Sequence, residues 1–235
     1  MIWRGGDPAS EGLQRRRLLL SHAALLRDGT PIELDKLARS TDVHTHPAGT
    51  QLMAQDAPAT AIHFVAYGRA RLMLLGDSGR ELAVGDLERG DHFGESAILE
   101  DARYATSAVA LDEVLILTVP RDAFAAYAQT HAAVAFRLAV EQTQRLAAAS
   151  QQLADMAMSN VEVRVARTLK RLALHDGIDV SKGILVRRIT HQELAHLVGT
   201  CRETVTRSVA ALSRRGLLAA HDGRIVVTPA LLAQP

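Results

Sequence analysis

Residues 189–207 decide the fold, and they read I-T-H-Q-E-L-A-H-L-V-G-T-C-R-E-T-V-T-R. Thr190 and Glu193 have the three-residue spacing of a capping box, which predicts that a helix begins here. Apolar residues at helical spacing follow, and Gly199 then permits a sharp turn. A second helix is predicted after this turn, with Val205 on the side that faces the core. Two short helices joined in this way form a helix-turn-helix.

The outer face of the second helix has the chemistry that a DNA major groove requires. Arg202 and Arg207 offer forks of donors to guanine, and Glu203 can accept a hydrogen bond from the cytosine amino group. All three lie within the first two turns, the part of a recognition helix that reaches base edges. A solvent-exposed helix face without a binding function would account for a single arginine. The capping box, the glycine turn and the three charged residues together favour a DNA-binding function.

Residues 190–227 resemble the DNA-binding domain of the cyclic AMP receptor protein and FNR family, whose R-E-T-V-x-R string stands here at residues 202–207. The resemblance implies that Arg202, Glu203 and Arg207 read bases, and that Gln192, Thr204 and His221 hold phosphates. It implies a palindromic double-stranded operator with half-sites like TGTGA. It also implies contacts with RNA polymerase.

Length and charge suggest two domains. The 235 residues are 48% hydrophobic and 23% charged, which is typical of a globular chain with room for two cores. Residues 160–235 hold 12 Lys and Arg against 6 Asp and Glu, a net charge of +6, whereas residues 1–159 have a net charge of −5. This asymmetry fits a nucleic-acid module joined to a domain that does not bind nucleic acid, although a basic surface alone would also produce it.

The single cysteine, Cys201, excludes an intramolecular disulfide framework and a four-cysteine iron-sulfur site. An FNR-type cluster sensor is therefore excluded. No secretory leader pattern begins the chain, and the longest uncharged run, residues 123–136, is too short to cross a bilayer. We expect a cytoplasmic protein without a membrane partner.

The amino-terminal part changes pattern along its length. Residues 1–12 predict a loose end, residues 15–26 an amphipathic helix, and residues 31–39 a second short helix. From Val43 onward, short β-type runs alternate with glycine turns, among them the turn at residues 76–79. Short strands with such turns predict an antiparallel roll or barrel.

Residues 90–99 and 103–106 resemble the phosphate-binding cassette of cyclic-nucleotide-binding domains. The resemblance implies that a short helix after Gly94 faces an anion, that Glu95 accepts from a ribose hydroxyl, and that Arg103 pairs with a phosphate. The full set of nucleotide candidates is Gly94, Glu95, Ser96, Arg103, Tyr104 and Ser150.

The cassette departs from the family pattern in several places. The spacing from Glu95 to Arg103 is two residues shorter, a tyrosine replaces a serine at 104, and ungapped counting places Ala105 at the arginine position. On the following helix, Ala149 and Ser150 stand where the family member has an adenine-contacting Thr-Ser pair. A roll that keeps the cassette only as scaffold explains these features as well as cyclic nucleotide binding does.

Other chemistry has less support. His44 and His46 lie two apart on a predicted strand and would share a face, as two metal or haem ligands do, but no third ligand is visible. The sequence contains no G-x-S-x-G, Walker or H-E-x-x-H motif, so we do not expect an enzyme.

Residues 132–158 predict one long helix, because they contain neither glycine nor proline. Its seam recurs at spacings of four and three: Ala135, Ala139, Gln142, Leu146, Ala149, Leu153 and Met156. Such a heptad pattern favours two parallel helices from two copies of the chain, with Leu146, Ala149, Leu153 and Met156 as principal dimerisation residues. The alternative is a core stripe within one chain. Asn160 predicts a stop and restart of the helix.

After the second helix, residues 217–221 and 224–228 predict two strands around an Asp222-Gly223 hairpin turn, and residues 184–188 predict a third strand. These strands form a wing. It adds basic side chains for phosphates around the recognition helix: Arg187, Arg188, Arg214, Arg215 and Arg224.

We therefore predict an α+β protein with three parts: an amino-terminal antiparallel β-roll of the cyclic-nucleotide-binding jelly-roll type (1–130), a dimerisation helix (131–159) and a carboxy-terminal winged helix-turn-helix (160–235). The expected function is a homodimeric transcription regulator controlled by cyclic AMP or another cyclic nucleotide. One alternative keeps the DNA domain but has another signal, such as cyclic di-GMP or haem, or none. A second alternative is a regulatory subunit or enzyme that uses the roll without DNA.

Overall fold

The computed structural model describes residues 8–76 and 80–234 and contains both helices and antiparallel sheets. The chain divides into two compact units. The first comprises residues up to Leu75 together with Val84–Leu146, and the second comprises Gly76–Ala83 and the residues from Ala147 onward. The predicted α+β architecture, with a roll, a long helix and a carboxy-terminal helix-turn-helix, is confirmed.

The first unit begins with two helices, α1 (Pro8–Ser21) and α2 (Pro31–Arg39). The prediction for α2 is confirmed, and Thr30 caps it: Glu33 N donates to Thr30 Oγ1 at 3.4 Å, and Thr30 N donates to Glu33 Oε2 at 2.8 Å.

The prediction for α1 was wrong at both ends. The helix already begins at Pro8, where proline is tolerated because a first-turn N–H has no helical partner. Residues 8–12 are therefore helical, and the rest of the predicted loose end, residues 1–7, lies outside the described residues. The helix stops at Ser21, and residues 24–26 form a separate 3-10 turn that buries Leu25 and Leu26.

The roll follows α2. Its strands within the described part are β1 (Asp42–His46), β2 (Gln51–Met53), β3 (Ala61–Tyr67), β4 (Ala70–Leu75), β5 (Glu81–Leu87), β6 (His92–Phe93), β7 (Ser107–Ala110) and β8 (Val114–Pro120). They form two four-stranded sheets, with orders β1-β8-β3-β6 and β2-β7-β4-β5. The predicted turn at 76–79 falls largely on residues 77–79, outside the described part.

Strand β3 lies in the interior of its sheet and pairs antiparallel with β8 and β6; Phe64 is opposite Leu117 in β8 and His92 in β6. Phe64, Leu117 and Ala108 of β7 belong to one buried cluster, so both sheets contribute to a single core. This core fixes the positions of the strands that flank the predicted cassette at residues 90–99.

Two helices follow the roll, α3 (Arg121–Thr130) and the 27-residue α4 (Ala132–Met158). His131 separates them, and its ring stacks on Tyr127 with centroids 4.1 Å apart. The predicted stop at Asn160 is confirmed, because α4 ends at Met158 and the Asn160 side chain accepts from Val163 N at 3.0 Å.

In the second unit, the elements after α4 are α5 (Val161–Asp176), β9 (Ile178–Val180), β10 (Gly183–Leu185), α6 (His191–Val198), α7 (Arg202–Arg214), β11 (Leu218–His221), β12 (Arg224–Val227) and α8 (Pro229–Leu232). The strands form one sheet of order β11-β12-β10-β9. Asp222 and Gly223 both have positive φ, 49° and 71°, as a tight hairpin turn requires. The predicted strand at 184–188 is shorter than expected, because the pairing ends at Leu185.

Candidate DNA-binding surface and effector site

The predicted helix-turn-helix is present as α6 and α7. Glu193 N donates to Thr190 Oγ1 at 3.1 Å and Thr190 N donates to Glu193 Oε2 at 2.7 Å, which is the predicted capping box. Gly199 ends α6 with a left-handed φ of 72°, a conformation that glycine adopts without strain. The chain can therefore turn sharply before α7 begins at Arg202.

Helix α7 has a buried side and an exposed side. Val205, Ser208 and Leu212 are buried in the core of the second unit. Arg202, Glu203, Thr206 and Arg207 are exposed, so the structure brings the three predicted base-reading side chains onto one accessible face of one helix.

Local contacts orient these side chains. Arg207 Nη2 donates to Thr204 Oγ1 at 3.1 Å, and Thr204 is half-buried. The pKa of the Glu203 carboxyl lies below its ordinary value because of the hydrogen bond from its own backbone N–H, the contact with Cys201, and the charges of Arg202 and Arg207. Glu203 is thus held as an ionised acceptor, the form that can bind a cytosine amino group.

The other two predicted phosphate residues lie on separate elements. Gln192 is exposed in the first turn of α6, with Nε2 2.7 Å from His196 Nε2. His221 is exposed at the end of β11, with Nε2 3.6 Å from Asp222 Oδ2.

The basic side chains around α7 are not equivalent. Arg224 is half-buried and donates to the Val186 carbonyl at 2.8 Å, so it fastens β12 to the segment after β10. Arg215 pairs with Glu162 of α5 at 2.5 Å. Arg187 is half-buried, whereas Arg188 and Arg214 are exposed. Arg188 and Arg214 are better candidates for phosphates than Arg224 and Arg215, whose contacts with Val186 and Glu162 would have to be broken.

The predicted cassette is built on the turn after β6. Residues 95–98 form a 3-10 turn that begins after Gly94, whose φ is 84°. A Cβ atom at Gly94 would lie 3.0 Å from the Ala61 carbonyl oxygen and 3.2 Å from the Tyr104 ring. The site therefore requires glycine, both for its backbone conformation and for the close approach of β3.

Glu95 is the centre of a charged cluster. Its Oε1 accepts from Arg145 Nη1 and lies 3.1 Å from His92 Nε2. Arg145 Nη2 also donates to the His92 carbonyl at 2.8 Å, and His92 Nδ1 lies 3.2 Å from Glu141 Oε2. We call Glu95, His92, Arg145 and Glu141 the cassette cluster.

The cluster keeps Glu95 charged. Burial by itself would raise the pKa of this carboxyl, but the contact with His92 and the charges of His92 and Arg145 outweigh burial and hold the pKa below its ordinary value. An ionised carboxylate is the form that accepts hydrogen bonds from sugar hydroxyls.

The structure gives Arg103 and Tyr104, two of the other nucleotide candidates, hydrogen-bond partners other than Glu95. Arg103 is exposed and donates to the Asp56 carbonyl. Tyr104 is buried, and its hydroxyl donates to Ala61 O at 2.9 Å and accepts from Ala61 N at 3.1 Å, so it joins the cassette to β3. Ser96 is half-buried in the turn, and Ser150 is exposed on α4. Tyr104 therefore acts here as a structural residue.

Sequence reasoning missed four polar residues of this region. Glu141 and Arg145 are one helical turn apart on α4, a spacing that could have indicated a charged face beside the apolar seam. His63 lies in a short apolar run, and His92 lies within the cassette resemblance, which assigns it no role; neither position carries such a signal. His63 stacks on Phe93 with centroids 4.9 Å apart, and its Nδ1 is 3.1 Å from Thr118 Oγ1. Burial lowers the pKa of His63 to about 4, against a smaller opposing effect of Glu95.

The metal alternative gains nothing from the geometry. The rings of His44 and His46 are 6.3 Å apart, and no group of three residues able to hold a metal ion occurs in 8–76 and 80–234. Across the same described part of the chain, none of the helices is both long and apolar enough to traverse a bilayer.

Helix α4 exposes an apolar stripe. Leu146 and Leu153 are each 68% exposed, and Phe136 is 72% exposed. Ala149 is also exposed, whereas Met156 and Gln142 are half-buried against their own chain. The exposed stripe is thus rotated slightly from the predicted seam, toward Phe136 and away from Met156.

Comparison with known proteins agrees with both units. Residues 43–131 match the cyclic nucleotide-binding domain, and residues 163–234 match the Crp-like helix-turn-helix domain. The cyclic AMP receptor protein of Thermus thermophilus is 31% identical over 204 residues, covering 87% of this chain and 92% of that protein. The cAMP-activated global transcriptional regulator CRP of Escherichia coli O6:H1 is 27% identical over 187 residues, 79% of this chain and 89% of that protein.

Among solved structures, the c-di-GMP responsive global regulator CLP of Xanthomonas campestris has a TM-score of 0.75 at 22% identity, covering 85% of this chain and 99% of that chain. This likeness concerns the fold. Since both domain matches and the relative from Thermus thermophilus agree with a roll followed by a helix-turn-helix, the chain belongs to the cyclic AMP receptor protein and FNR family of DNA-binding transcription regulators.

Proposed function

We propose that the protein is a homodimeric, sequence-specific transcription regulator whose affinity for DNA is controlled by a small effector in the β-roll. The observation that carries the DNA assignment is the exposed face of α7, where Arg202, Glu203 and Arg207 lie together above a buried apolar side. We assign sensing to residues 1–130, dimerisation to 131–159 and DNA binding to 160–235, and we assign no catalytic step.

The proposed operator is a palindrome with TGTGA-like half-sites whose centres are about one helical turn apart. Arg202 and Arg207 would bind guanine edges and Glu203 a cytosine amino group, while Gln192, Thr204 and His221 hold phosphates. Selection from a random double-stranded DNA library tests this directly. We expect enrichment of such palindromes; enrichment of an unrelated site would refute the base assignments.

DNA binding also separates this proposal from a regulatory subunit or enzyme that uses the roll alone. Removal of residues 160–235 should abolish all specific DNA binding. We further propose that the dimer contacts RNA polymerase, which a pull-down with purified polymerase and operator DNA would detect.

The dimer assignment rests on the apolar stripe of α4. Leu146 and Leu153 expose about two thirds of their surface on the same side of a 27-residue helix. Exposed leucines repeated at a heptad interval favour a parallel pair of helices from two copies. Such a pair would place the two recognition helices of the dimer on two half-sites. An effector that changes the packing of the two α4 helices would then change the population of dimers that can bind both half-sites.

We propose cyclic AMP or another cyclic nucleotide as the effector. Glu95 is ionised and lies in the cassette turn, where it can accept from a ribose hydroxyl. Arg103 is exposed and could pair with a phosphate after leaving the Asp56 carbonyl. The names of the Thermus thermophilus and Escherichia coli relatives refer to cyclic AMP, and that of the Xanthomonas campestris protein refers to cyclic di-GMP. Cyclic di-GMP, haem and control without an effector are the alternatives.

Titration calorimetry with cyclic AMP, cyclic GMP and cyclic di-GMP distinguishes these effectors. If a cyclic nucleotide binds, Glu95→Gln should weaken binding and Arg103→Ala should abolish it, whereas the control Arg89→Ala, at an exposed arginine of the same roll, should not. Binding of cyclic di-GMP alone would support the alternative signal. Absence of heat with all three would argue against a cyclic nucleotide.

A further inference from the structure

His92 lies between two carboxylates that belong to different elements. Its side chain is 1% exposed, on the two-residue strand β6. Nε2 lies 3.1 Å from Glu95 Oε1 in the cassette turn, and Nδ1 lies 3.2 Å from Glu141 Oε2 in α4. The first contact is near enough for an ion pair but does not have hydrogen-bond geometry. One buried ring thus contacts both the cassette and the long helix.

Arg145 makes the same connection through a second route. It is four residues after Glu141 on α4, and it donates to Glu95 Oε1 and to the His92 carbonyl. Within residues 8–76 and 80–234, the charged groups that contact His92 are Glu95, Glu141 and Arg145. From β3, the Phe64 ring faces it at a centroid distance of 6.1 Å and contributes no charge.

The charges in the cluster depend on one another. Two carboxylates and one guanidinium meet in a mostly buried site, and the His92 ring lies between the carboxylates, 3.1 Å from Glu95 and 3.2 Å from Glu141. A buried charge that loses its partner is strongly unfavourable. A ligand hydroxyl that binds Glu95 would weaken the interaction between Glu95 and His92. The interaction between His92 and Glu141 would change as a consequence.

We propose that His92 is a positioning residue that couples the cassette carboxylate Glu95 to Glu141 of α4, so that effector binding changes how firmly the roll holds the long helix. The coupling rests on the proposed effector-controlled function. It adds to that function a named route from the ligand site to the helix that dimerises.

The test is a double-mutant cycle in the full-length protein. His92→Gln, Glu141→Gln and the double variant are compared with wild type by hydrogen exchange of residues 137–148. Each single change should raise exchange about tenfold, within the range found for residues of one ion-pair network, and the double change should raise it no further. His44→Gln and Glu113→Gln, which alter exposed residues of the roll, should leave it unchanged.

A second measurement separates positioning from a general loss of packing. The titration of the Glu95 side chain, followed by carbon-13 NMR, should move toward the ordinary carboxyl pKa in His92→Gln, because the contact with His92 that lowers the pKa of Glu95 is removed. Additive effects on exchange, or an unchanged Glu95 titration, would overturn the proposal. Where one single variant does not fold, hydrogen exchange of residues 137–148 in the other single variant decides, and exchange equal to wild type would overturn the proposal.

The failure of this coupling is distinguishable from failure of the proposed function. If wild type selects no operator and binds none of cyclic AMP, cyclic GMP and cyclic di-GMP, the regulator proposal fails whatever the exchange data show. If wild type binds DNA and cyclic AMP, His92→Gln should reduce the change in operator affinity that cyclic AMP produces. An unchanged response would contradict the coupling alone.

Discussion

Nδ1 of His191 lies 2.8 Å from the Thr206 hydroxyl oxygen, joining the first residue of α6 to the outer face of α7. The same hydroxyl donates to the Arg202 carbonyl at 3.0 Å. The hydroxyl of Thr206 is thus used within the protein, and its methyl group is the part left for DNA. A threonine methyl group can contact the C5-methyl group of thymine in the major groove.

We predict that Thr206 reads a thymine methyl group. Replacing the thymines of the selected operator by uracil, one position at a time, should weaken wild-type binding at one position per half-site by about 0.8 kcal/mol, the value of one buried methyl group. Thr206→Ser should lose this sensitivity and Thr206→Val should keep it. Competition between the operator and its uracil-substituted form measures the difference in binding free energy for each protein. Equal sensitivity of Thr206→Ser and wild type to the substitution would contradict the assignment.

Substitution of Arg207 and substitution of Arg188 should affect DNA binding in different ways. Arg207→Ala should cost roughly 1–3 kcal/mol and relax preference at a single guanine per half-site, because a bidentate pair to one base is lost. Arg188→Gln should weaken binding to all sequences alike and reduce the slope of affinity against salt, since phosphate contacts carry no base information.

Operator variants measured at several salt concentrations separate these outcomes. Arg188 is the better choice for the phosphate test than Arg224, whose hydrogen bond to the Val186 carbonyl would be broken as well. Loss of base preference in Arg188→Gln would contradict the division of roles.

The sequence predicted the DNA-binding unit well because its signals are local. The capping box at Thr190, the turn at Gly199 and the stop at Asn160 each depend on residues within three or four positions, and the structure shows all three. The end of α1 at Ser21 was missed, because burial of Leu25 and Leu26 in a separate 3-10 turn is set by packing on the roll.

The cassette could be only partly predicted, for a related reason. Gly94 and Glu95 are recognisable from neighbouring residues, but Arg145 reaches Glu95 from 50 positions away. Tyr104 was assigned to the ligand, yet its hydroxyl bonds to Ala61 on β3, a partner 43 positions away. Long-range pairing of this kind leaves no pattern in a single sequence.

Cys201 should be a passive residue. Its thiol is exposed at the start of α7, makes no cap hydrogen bond, and lies 3.1 Å from Thr204 Oγ1. Serine is a favoured helix cap, so Cys201→Ser should keep DNA binding and stabilise the protein by up to about 1 kcal/mol. Wild type and variant should bind operator equally under oxidising and reducing conditions; loss in oxidised wild type only would reveal a redox switch.

His63 should make the protein less stable in mild acid. Its folded pKa of about 4 lies below the unfolded value of 6.5, so below pH 6.5 the unfolded chain takes up a proton that the folded chain does not. The contribution of His63 to the free energy of unfolding is therefore fully present above pH 6.5 and is lost as the pH falls toward 4. Between pH 7 and pH 5 the loss should be about 2 kcal/mol.

Thermal unfolding at pH 7 and pH 5 tests the His63 prediction, because this interval lies above the range in which the Glu95 carboxylate loses its charge. His63→Gln should remove about 2 kcal/mol of the pH dependence, whereas His44→Gln, at an exposed histidine, should retain it. Equal pH dependence in wild type and His63→Gln would contradict the assignment.

Leu146 should hold two copies of the chain together. It is 68% exposed in one copy, on the apolar stripe of α4 that also carries Leu153. In a parallel pair of helices each Leu146 would be buried against its twin, so Leu146→Asp would bury two like charges without partners. We expect a loss of at least about 3 kcal/mol in dimer stability, and a monomer at micromolar concentration.

Light scattering after gel filtration gives the mass directly. Leu174→Asp is the matched control, because Leu174 is 64% exposed but lies on α5 rather than on the stripe, and this variant should remain dimeric. Circular dichroism should show the helix content of wild type in both variants. A dimeric mass for folded Leu146→Asp would exclude the stripe as the dimer interface, whereas monomeric wild type would refute the homodimer itself.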